Sequence, residues 1–282
     1  MPMKFGVHIA TAGNLASAPE RAAAMGAETI QIFASNPRGW RPTTYTPEMA
    51  AAFRAAVSVA KVDPVWIHMI YLVSYGTEGD EQRQKSIDAM SGMLVTADLL
   101  GARGVVSHMG SHKGLGFDQA LGRITDSYTR ILETEGESLF ILENSAGAGG
   151  NIGNSLEELA AMIDAMKGHK RLAICIDTAH ALAHGYELRT AEGLDAFITD
   201  FDHLIGLDRL VVMHLNDSKV DLGARVDRHE NIGDGFLGSE GFKLIVNHPK
   251  LAHVSGILEV PGLTGDGPDK ANLDRLKALV DH

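Results

Sequence analysis

Eight short apolar runs, rich in β-branched and aromatic residues, recur along the chain at 5–9, 29–33, 65–67, 104–107, 139–142, 172–176, 210–213 and 256–258. Longer stretches with apolar residues at helical spacing lie between them, at 16–25, 47–60, 82–100, 118–133, 156–166 and 195–205. A last helix is expected over 269–280, with Pro268 near its start. Strands separated by helices cannot close as hairpins. They need crossover connections, and those make the sheet parallel. Runs apolar at nearly every residue fit strands buried on both faces. Eight such units predict a closed (β/α)8 TIM barrel and a single domain over 1–282. No glycine-rich phosphate fingerprint opens the first helix, which argues against a dinucleotide-binding sheet.

The polar residue that ends six of the eight runs carries the functional signal. VWIH stops at His68, VVSH at His108, FILE at Glu143, AICID at Asp177, LVVMH at His214 and GILE at Glu259. In a parallel barrel these ends converge on one mouth, where active sites are built. A lone histidine in such a place is ordinarily a hydrogen-bonded structural group, and a lone carboxylate a helix cap or ion-pair partner. Six together are different. Carboxylates gathered at one mouth repel one another unless protonated or bridged by cations. Imidazoles interleaved with them point to transition-metal ligation. Two further pairs extend the set. Asp177 and His180 lie three apart in CIDTAH, within reach of one helical turn; Asp227 and His229 lie two apart in VDRHE and face the same way if extended.

Composition sets outer limits. The 282 residues are 45% hydrophobic, enough for a sizeable core, and no run approaches the roughly 18 apolar residues of a membrane helix. The opening MPMKFGVHIATAG lacks the apolar stretch of a secretory signal, and the single cysteine, Cys175, permits no intramolecular disulfide. Cytoplasmic residence is the expectation. The formal charge of −11 is unfavourable for a nucleic-acid binder. Three bound divalent ions would offset more than half of it, concentrated where a phosphate would bind.

The motifs GVHIATAGNL, SNPRGW, VVSHMGSH, FILENSAGAGGNIG, CIDTAHALAHGYEL, MHLNDSK, RVDRHENIG and ILEVPG follow one another through nearly the whole chain. In that order and spacing the sequence resembles endonuclease IV, the zinc-dependent apurinic/apyrimidinic endonuclease family. The resemblance implies three divalent ions, Zn²⁺ by family, with Mn²⁺ or Fe²⁺ also suited to carboxylate-rich sites. It implies that His68 and His108 hold one ion and share Glu143 with a second, which Asp177, His214 and Glu259 complete. His180, Asp227 and His229 would hold the third. Glu143 and Glu259 are the implied catalytic residues, the first orienting the nucleophile and the second the assisting base. Arg38, Tyr71 and Leu72 are the implied DNA-contacting residues. The implied reaction is cleavage of double-stranded DNA 5′ to abasic sites, leaving a 3′-hydroxyl and a 5′-deoxyribose phosphate, with trimming of blocked 3′ ends. Neither a membrane nor a protein partner is implied, and a monomer is expected. The sequence departs from the family at Ala179, where a Cys is common, and at Val260, where a hydroxyl is common.

Two other readings use the same residues. A sugar isomerase or epimerase on this barrel would use Glu143, Asp177, His214 and Glu259 around one ion; His108, His180, Asp227 and His229 argue against it. A non-catalytic lesion-binding or metal-buffering protein needs no complete ligand set. His8, His112, His184 and Asn216 are candidates for groups that brace the ligands, and Cys175 is expected to be buried and without chemistry.

Overall fold

The computed structural model describes residues 3–11 and 13–281, and in it eight parallel strands close on themselves as a TIM barrel. The strands are β1 (Lys4–His8), β2 (Thr29–Ile32), β3 (Val65–His68), β4 (Gly104–Ser107), β5 (Leu139–Glu143), β6 (Leu172–Asp177), β7 (Leu210–His214) and β8 (Ser255–Leu258). Each pairs with its neighbours in sequence, and β8 closes onto β1 through Lys4 opposite Ser255. Around them lie α1 (Ala18–Met25), α2 (Pro47–Ala60), α3 (Asp80–Leu100), α4 (Phe117–Leu132), α5 (Leu156–Ala165), α6 (Thr178–His184), α7 (Ala191–Leu204), α8 (Gly238–Asn247) and α9 (Lys270–Lys277).

Local chemistry sets the helix ends. Thr46, Ser155, Thr190 and Asp269 cap α2, α5, α7 and α9 by accepting a backbone N–H from the first turn. Gly26 and Gly101 end α1 and α3 in the left-handed conformation that favours glycine. The helix expected over 16–25 begins instead as a tighter turn at Leu15–Ser17, and α1 follows with Pro19 in its first turn. Two helices lie outside the expected set. α6 begins at Thr178, directly after β6 stops, and α8 carries Gly238 and Gly241 in its first turn, which weakens its helical pattern.

The two-residue period of the strands divides the core into two layers. Outward-facing residues such as Ile30, Ile67, Val105, Phe140, Leu142, Ile174 and Met213 pack with Phe53, Leu94, Tyr128, Leu159, Phe201 and Phe242 of the helices. Burying each large side chain of this kind stabilises the fold by roughly 1.5–3 kcal/mol. Trp66, Val106, Ile141, Ala173, Cys175, Val212 and Ile257 form a separate apolar cluster. These seven share the inward-facing register, and they fill the barrel. Two residues beyond Trp66, Val106, Ile141, Cys175, Val212 and Ile257 stand His68, His108, Glu143, Asp177, His214 and Glu259. The period that buries the apolar layer therefore turns these polar residues inward at the next level, at the C-terminal mouth.

Candidate metal centre

Glu143 lies at the middle of the mouth, 1% exposed. Its Oε2 is 3.3 Å from His68 Nε2 and 3.6 Å from His108 Nε2; its Oε1 is 3.1 Å from His214 Nδ1 and 3.6 Å from His180 Nδ1. Ligands about 2.0 Å from a tetrahedral ion are spaced about 3.3 Å from one another, so several of these separations match the edge of a coordination polyhedron. The outer hydrogen bonds indicate which nitrogen each imidazole would offer. His68 Nδ1 is 2.7 Å from the Met69 carbonyl, His180 Nδ1 is 2.9 Å from the Asn144 carbonyl, and His229 Nδ1 is 3.4 Å from the Glu259 carbonyl. A carbonyl only accepts, so Nδ1 carries the proton in each ring and Nε2 is the face presented to the site. The Nε2 atoms of His180 and His229 are buried and make no well-aligned hydrogen bond, although the Asp227 carboxylate lies close to both.

Three groups of candidate ligands follow, each with its ligand atoms within 4.8 Å of one another: His68, His108 and Glu143; Glu143, Asp177, His214 and Glu259; and Asp177, His180 and His229. Asp227 stands on the solvent side of the third, with Oδ2 3.3 Å from His180 Nε2 and Oδ1 3.2 Å from His229 Nε2. Glu143 and Asp177 each belong to two groups. Asp177, which the resemblance assigns to the second ion and its spacing groups with His180, also faces the third, where His229 Nε2 is 3.5 Å from its Oδ2.

Charge at the rim is strongly coupled. Burial would raise the Glu143 carboxyl, but the imidazoles of His108 and His214 hold it well below the usual carboxylate range. Burial acts likewise on Glu259, and His214 and His8 outweigh it, again holding the carboxyl down. Burial opposes a charge on His180 and His229, yet Asp177 and Asp227 overcome it and push the two imidazoles up to about 10 and about 9. In a chain without cations, protons on these rings supply the positive charge the carboxylates require. Divalent ions would supply it instead, and a set of imidazole nitrogens and carboxylates at tetrahedral spacing suits Zn²⁺ and similar ions.

Amide side chains brace the ligands. Asn144 Oδ1 accepts from the Asp177 backbone N–H at 2.6 Å, and its Nδ2 donates to the Asp177 carbonyl at 3.2 Å. Asn216 donates from Nδ2 to Asp177 Oδ2 at 2.7 Å and accepts the Glu259 backbone N–H at 2.7 Å. Asp177 Oδ1 accepts the His180 backbone N–H at 2.9 Å, so α6 starts on a ligand. Of the candidates raised from sequence, His8 and Asn216 touch ligands. His112 instead accepts backbone N–H groups from Gly114 and Gly116, and His184 lies against Tyr186. Gln31 and Asn144 escaped the sequence reading. Gln31 is a lone polar residue inside an apolar run, and its inward register is the signal that could have revealed it. Cys175 lies under the rim in the apolar layer, and burial pushes its thiol up to about 12, which leaves no free thiolate.

Arg38 and Tyr71 share one side of the mouth. The backbone N–H of Tyr71 donates to the Pro37 carbonyl at 3.0 Å, tying the loop after β3 to the loop that carries the exposed Arg38. Tyr71 is 56% exposed, with its ring centroid 5.6 Å from that of His68 and 5.4 Å from that of Phe33. Leu72 is half-buried and packs against the helix-side core.

The loop bearing Asp227 and His229 leaves the barrel after β7, and Asp217–Ser218 pairs antiparallel with His229–Glu230 at its base. Fully buried Asp217 anchors it, accepting backbone N–H groups from Ser218, Gly233, Gly235, Leu237 and Gly238 at 2.8 to 3.3 Å. Asp217→Ala strands those donors and is expected to cost about 3 kcal/mol of stability. The loop should then be cut by protease between 219 and 228 while the barrel resists. A variant with the wild-type melting midpoint and digestion pattern would show that the loop holds itself.

The sequence of residues 19–279 matches the model of xylose isomerase-like TIM barrels. Over 277 residues, 98% of each chain, it is 42% identical to a protein of Methanoculleus marisnigri named probable endonuclease 4. A protein of Chloroflexus aurantiacus with the same name is 38% identical over 279 residues, again 98% of each chain. The crystal structure of endonuclease IV from Thermus thermophilus superposes with a TM-score of 0.86 at 35% identity, covering 98% of both chains. Similarity at this level from end to end, on a closed eight-stranded barrel, means that the chain belongs to the endonuclease IV family.

Proposed function

We propose that the chain is a DNA-repair phosphodiesterase that cuts duplex DNA 5′ to abasic sites, leaving a 3′-hydroxyl and a 5′-deoxyribose phosphate, and that also trims blocked 3′ ends. The observation that carries this reading is the sharing of Glu143 and Asp177 between adjacent ligand groups. A shared carboxylate suits a row of neighbouring ions better than one isolated ion. In this reading His68, His108 and Glu143 hold the first of three ions. Glu143, Asp177, His214 and Glu259 hold the second, and His180, Asp227 and His229 the third, with Asp177 at its inner edge. Bound divalent ions supply Lewis-acid stabilisation of phosphoryl oxygens and bring water into its nucleophilic form near neutral pH.

The side chains divide the remaining work. Glu143 directs one oxygen to His68 and His108 and the other to His214 and keeps the row aligned. Glu259 is more open, at 17% exposure, with Oε1 engaged by His8 at 2.8 Å and Oε2 facing His214 at 3.3 Å. In this reading Glu259 is both a ligand, through Oε2, and the assisting base. Tyr71 offers an exposed ring beside the first ligand as a wedge for a base step, the half-buried Leu72 follows it in the same loop as a second DNA-contacting residue, and Arg38 reaches the groove. An abasic nucleotide leaves the stack at lower cost than a paired one, and this favours the lesion. Zinc is the proposed metal, with Mn²⁺ and Fe²⁺ as other fits to the donor set. One chain completes the rim, in keeping with a monomer. None of the described helices is long and apolar enough to cross a membrane, and a cytoplasmic enzyme is proposed.

A second reading has one observation behind it, since Glu143, Asp177, His214 and Glu259 form a four-residue group by themselves. A sugar isomerase or epimerase would bind one ion there. Elemental analysis of the purified chain, with nicking of a duplex carrying one abasic site, decides between the two. The expected result is three ions per chain and one cut 5′ to the lesion, abolished by chelator and restored by Zn²⁺. One ion per chain, intact DNA and ketose–aldose conversion would sink the nuclease reading.

A further inference from the structure

Gln31 lies on β2, fully buried, in register with His8 of β1 and Trp66 of β3. Its amide spans two candidate ligands of the same ion. Nε2 donates to Glu259 Oε1 at 2.6 Å, and Oε1 is 3.0 Å from His214 Nε2. The orientation of this amide is fixed by its neighbours. An ionised carboxylate only accepts, so the NH₂ end must face Glu259, and the carbonyl end is left for His214. An amide oxygen also only accepts, so His214 Nε2 must carry a proton. In the neutral ring Nδ1 is then the bare nitrogen, and Nδ1 is the atom facing Glu143 Oε1 at 3.1 Å and Glu259 Oε2 at 3.3 Å. His68, His180 and His229 present Nε2; His214 is turned the other way, and Gln31 is the group on its outer nitrogen.

The same amide acts on Glu259. Oε1 receives Gln31 Nε2 and the His8 ring, which leaves Oε2 as the oxygen free for an ion. His8 Nδ1 is 2.8 Å from Oε1 and 3.0 Å from Gln31 Nε2. Only one of these two can be a hydrogen bond, because Nδ1 cannot donate to the carboxylate and accept from the amide at once. Donation to the carboxylate involves the charged acceptor and is the stronger choice.

We infer that Gln31 is a positioning residue, setting the tautomer of His214 and the free oxygen of Glu259 so that both present a lone pair to one ion. The inference rests on the metal-dependent reading above. Gln31→Met keeps the volume and removes both hydrogen bonds. Outer hydrogen-bonding partners of metal ligands are typically worth about 10- to 100-fold in affinity or activity.

The test is a chelator competition on the Zn²⁺-loaded full chain, read beside kcat and KM on abasic duplex. In Gln31→Met one ion should leave about 10- to 100-fold more readily while the others hold. The fall in kcat should be similar, with KM for DNA unchanged. Gln31→Glu keeps an oxygen facing His214 Nε2 and, with one proton shared between it and Glu259 Oε1 in place of the amide N–H, should hold that ion more tightly than Gln31→Met. Wild-type ion retention in Gln31→Met would overturn the inference. So would equal loosening of every ion together with a lower melting midpoint, or equal ion loss in Gln31→Met and Gln31→Glu. Wild-type chain that binds no Zn²⁺ would overturn the metal-dependent reading itself, a result separable from any behaviour of the variants.

Discussion

Glu259→Gln is expected to lower the cleavage rate by about 10³-fold or more while the barrel stays folded. A positioned group that moves a proton commonly contributes about 10²- to 10⁴-fold, and here the loss of a charged ligand adds to it. The substitution is nearly isosteric, and the side chain sits at the rim above the apolar layer. It therefore removes charge beside His214 without opening the core. Single-turnover nicking of abasic duplex, compared with circular dichroism of the same preparation, checks both halves. Wild-type rates in Glu259→Gln would take Glu259 out of the proposed ligand set.

Glu143→Gln is expected to abolish cleavage to a similar degree and also to weaken the metal-free fold. Glu143 is fully buried and faces His68, His108, His180 and His214. Removing one partner of a buried charged set leaves the others uncompensated, which costs about 3–5 kcal/mol. The sign with pH follows from the depressed carboxyl. Its stabilising contribution is complete above the ordinary Glu value of about 4.3 and is lost only as pH falls toward the lower folded-state value. Urea unfolding in excess chelator should therefore show the full gap between wild type and variant at pH 7, narrowing in acid. Equal stability and equal zinc content in the two proteins would mean that Glu143 is a spectator.

Much of this was legible in the chain, for reasons that differ by residue. Eight apolar runs separated by helical stretches leave few topologies, and a parallel closed barrel satisfies them. The ends of six runs mark His68, His108, Glu143, Asp177, His214 and Glu259, because hydrophobicity stops abruptly where the barrel opens. The strands themselves continue one residue further at His68, Glu143, Asp177 and His214. Backbone pairing is indifferent to side-chain polarity, whereas an apolar run is not. Gln31 was hidden for the opposite reason: one amide within an apolar run carries no chemical signature until its three-dimensional neighbours are known. The double membership of Asp177 was half legible: its spacing from His180 put the two within one turn, but sequence spacing says nothing of His229, which Asp177 faces across the mouth. α8 was obscured by two glycines whose cost the packing of Phe242 and Ile245 offsets.

The alternation of inward and outward side chains also sets how such a protein can change over generations. Which residues reach the mouth is a matter of odd or even position along each strand. Deleting one residue between Val106 and His108, or between Val212 and His214, would swap a ligand for its neighbour and turn it toward the helices. Loops are exempt from that arithmetic. Segments beyond the rim that carry none of Arg38, Tyr71, Leu72, Asp227 or His229 can lengthen or shorten by any number, but within a strand residues must be gained or lost in pairs or the centre is forfeited.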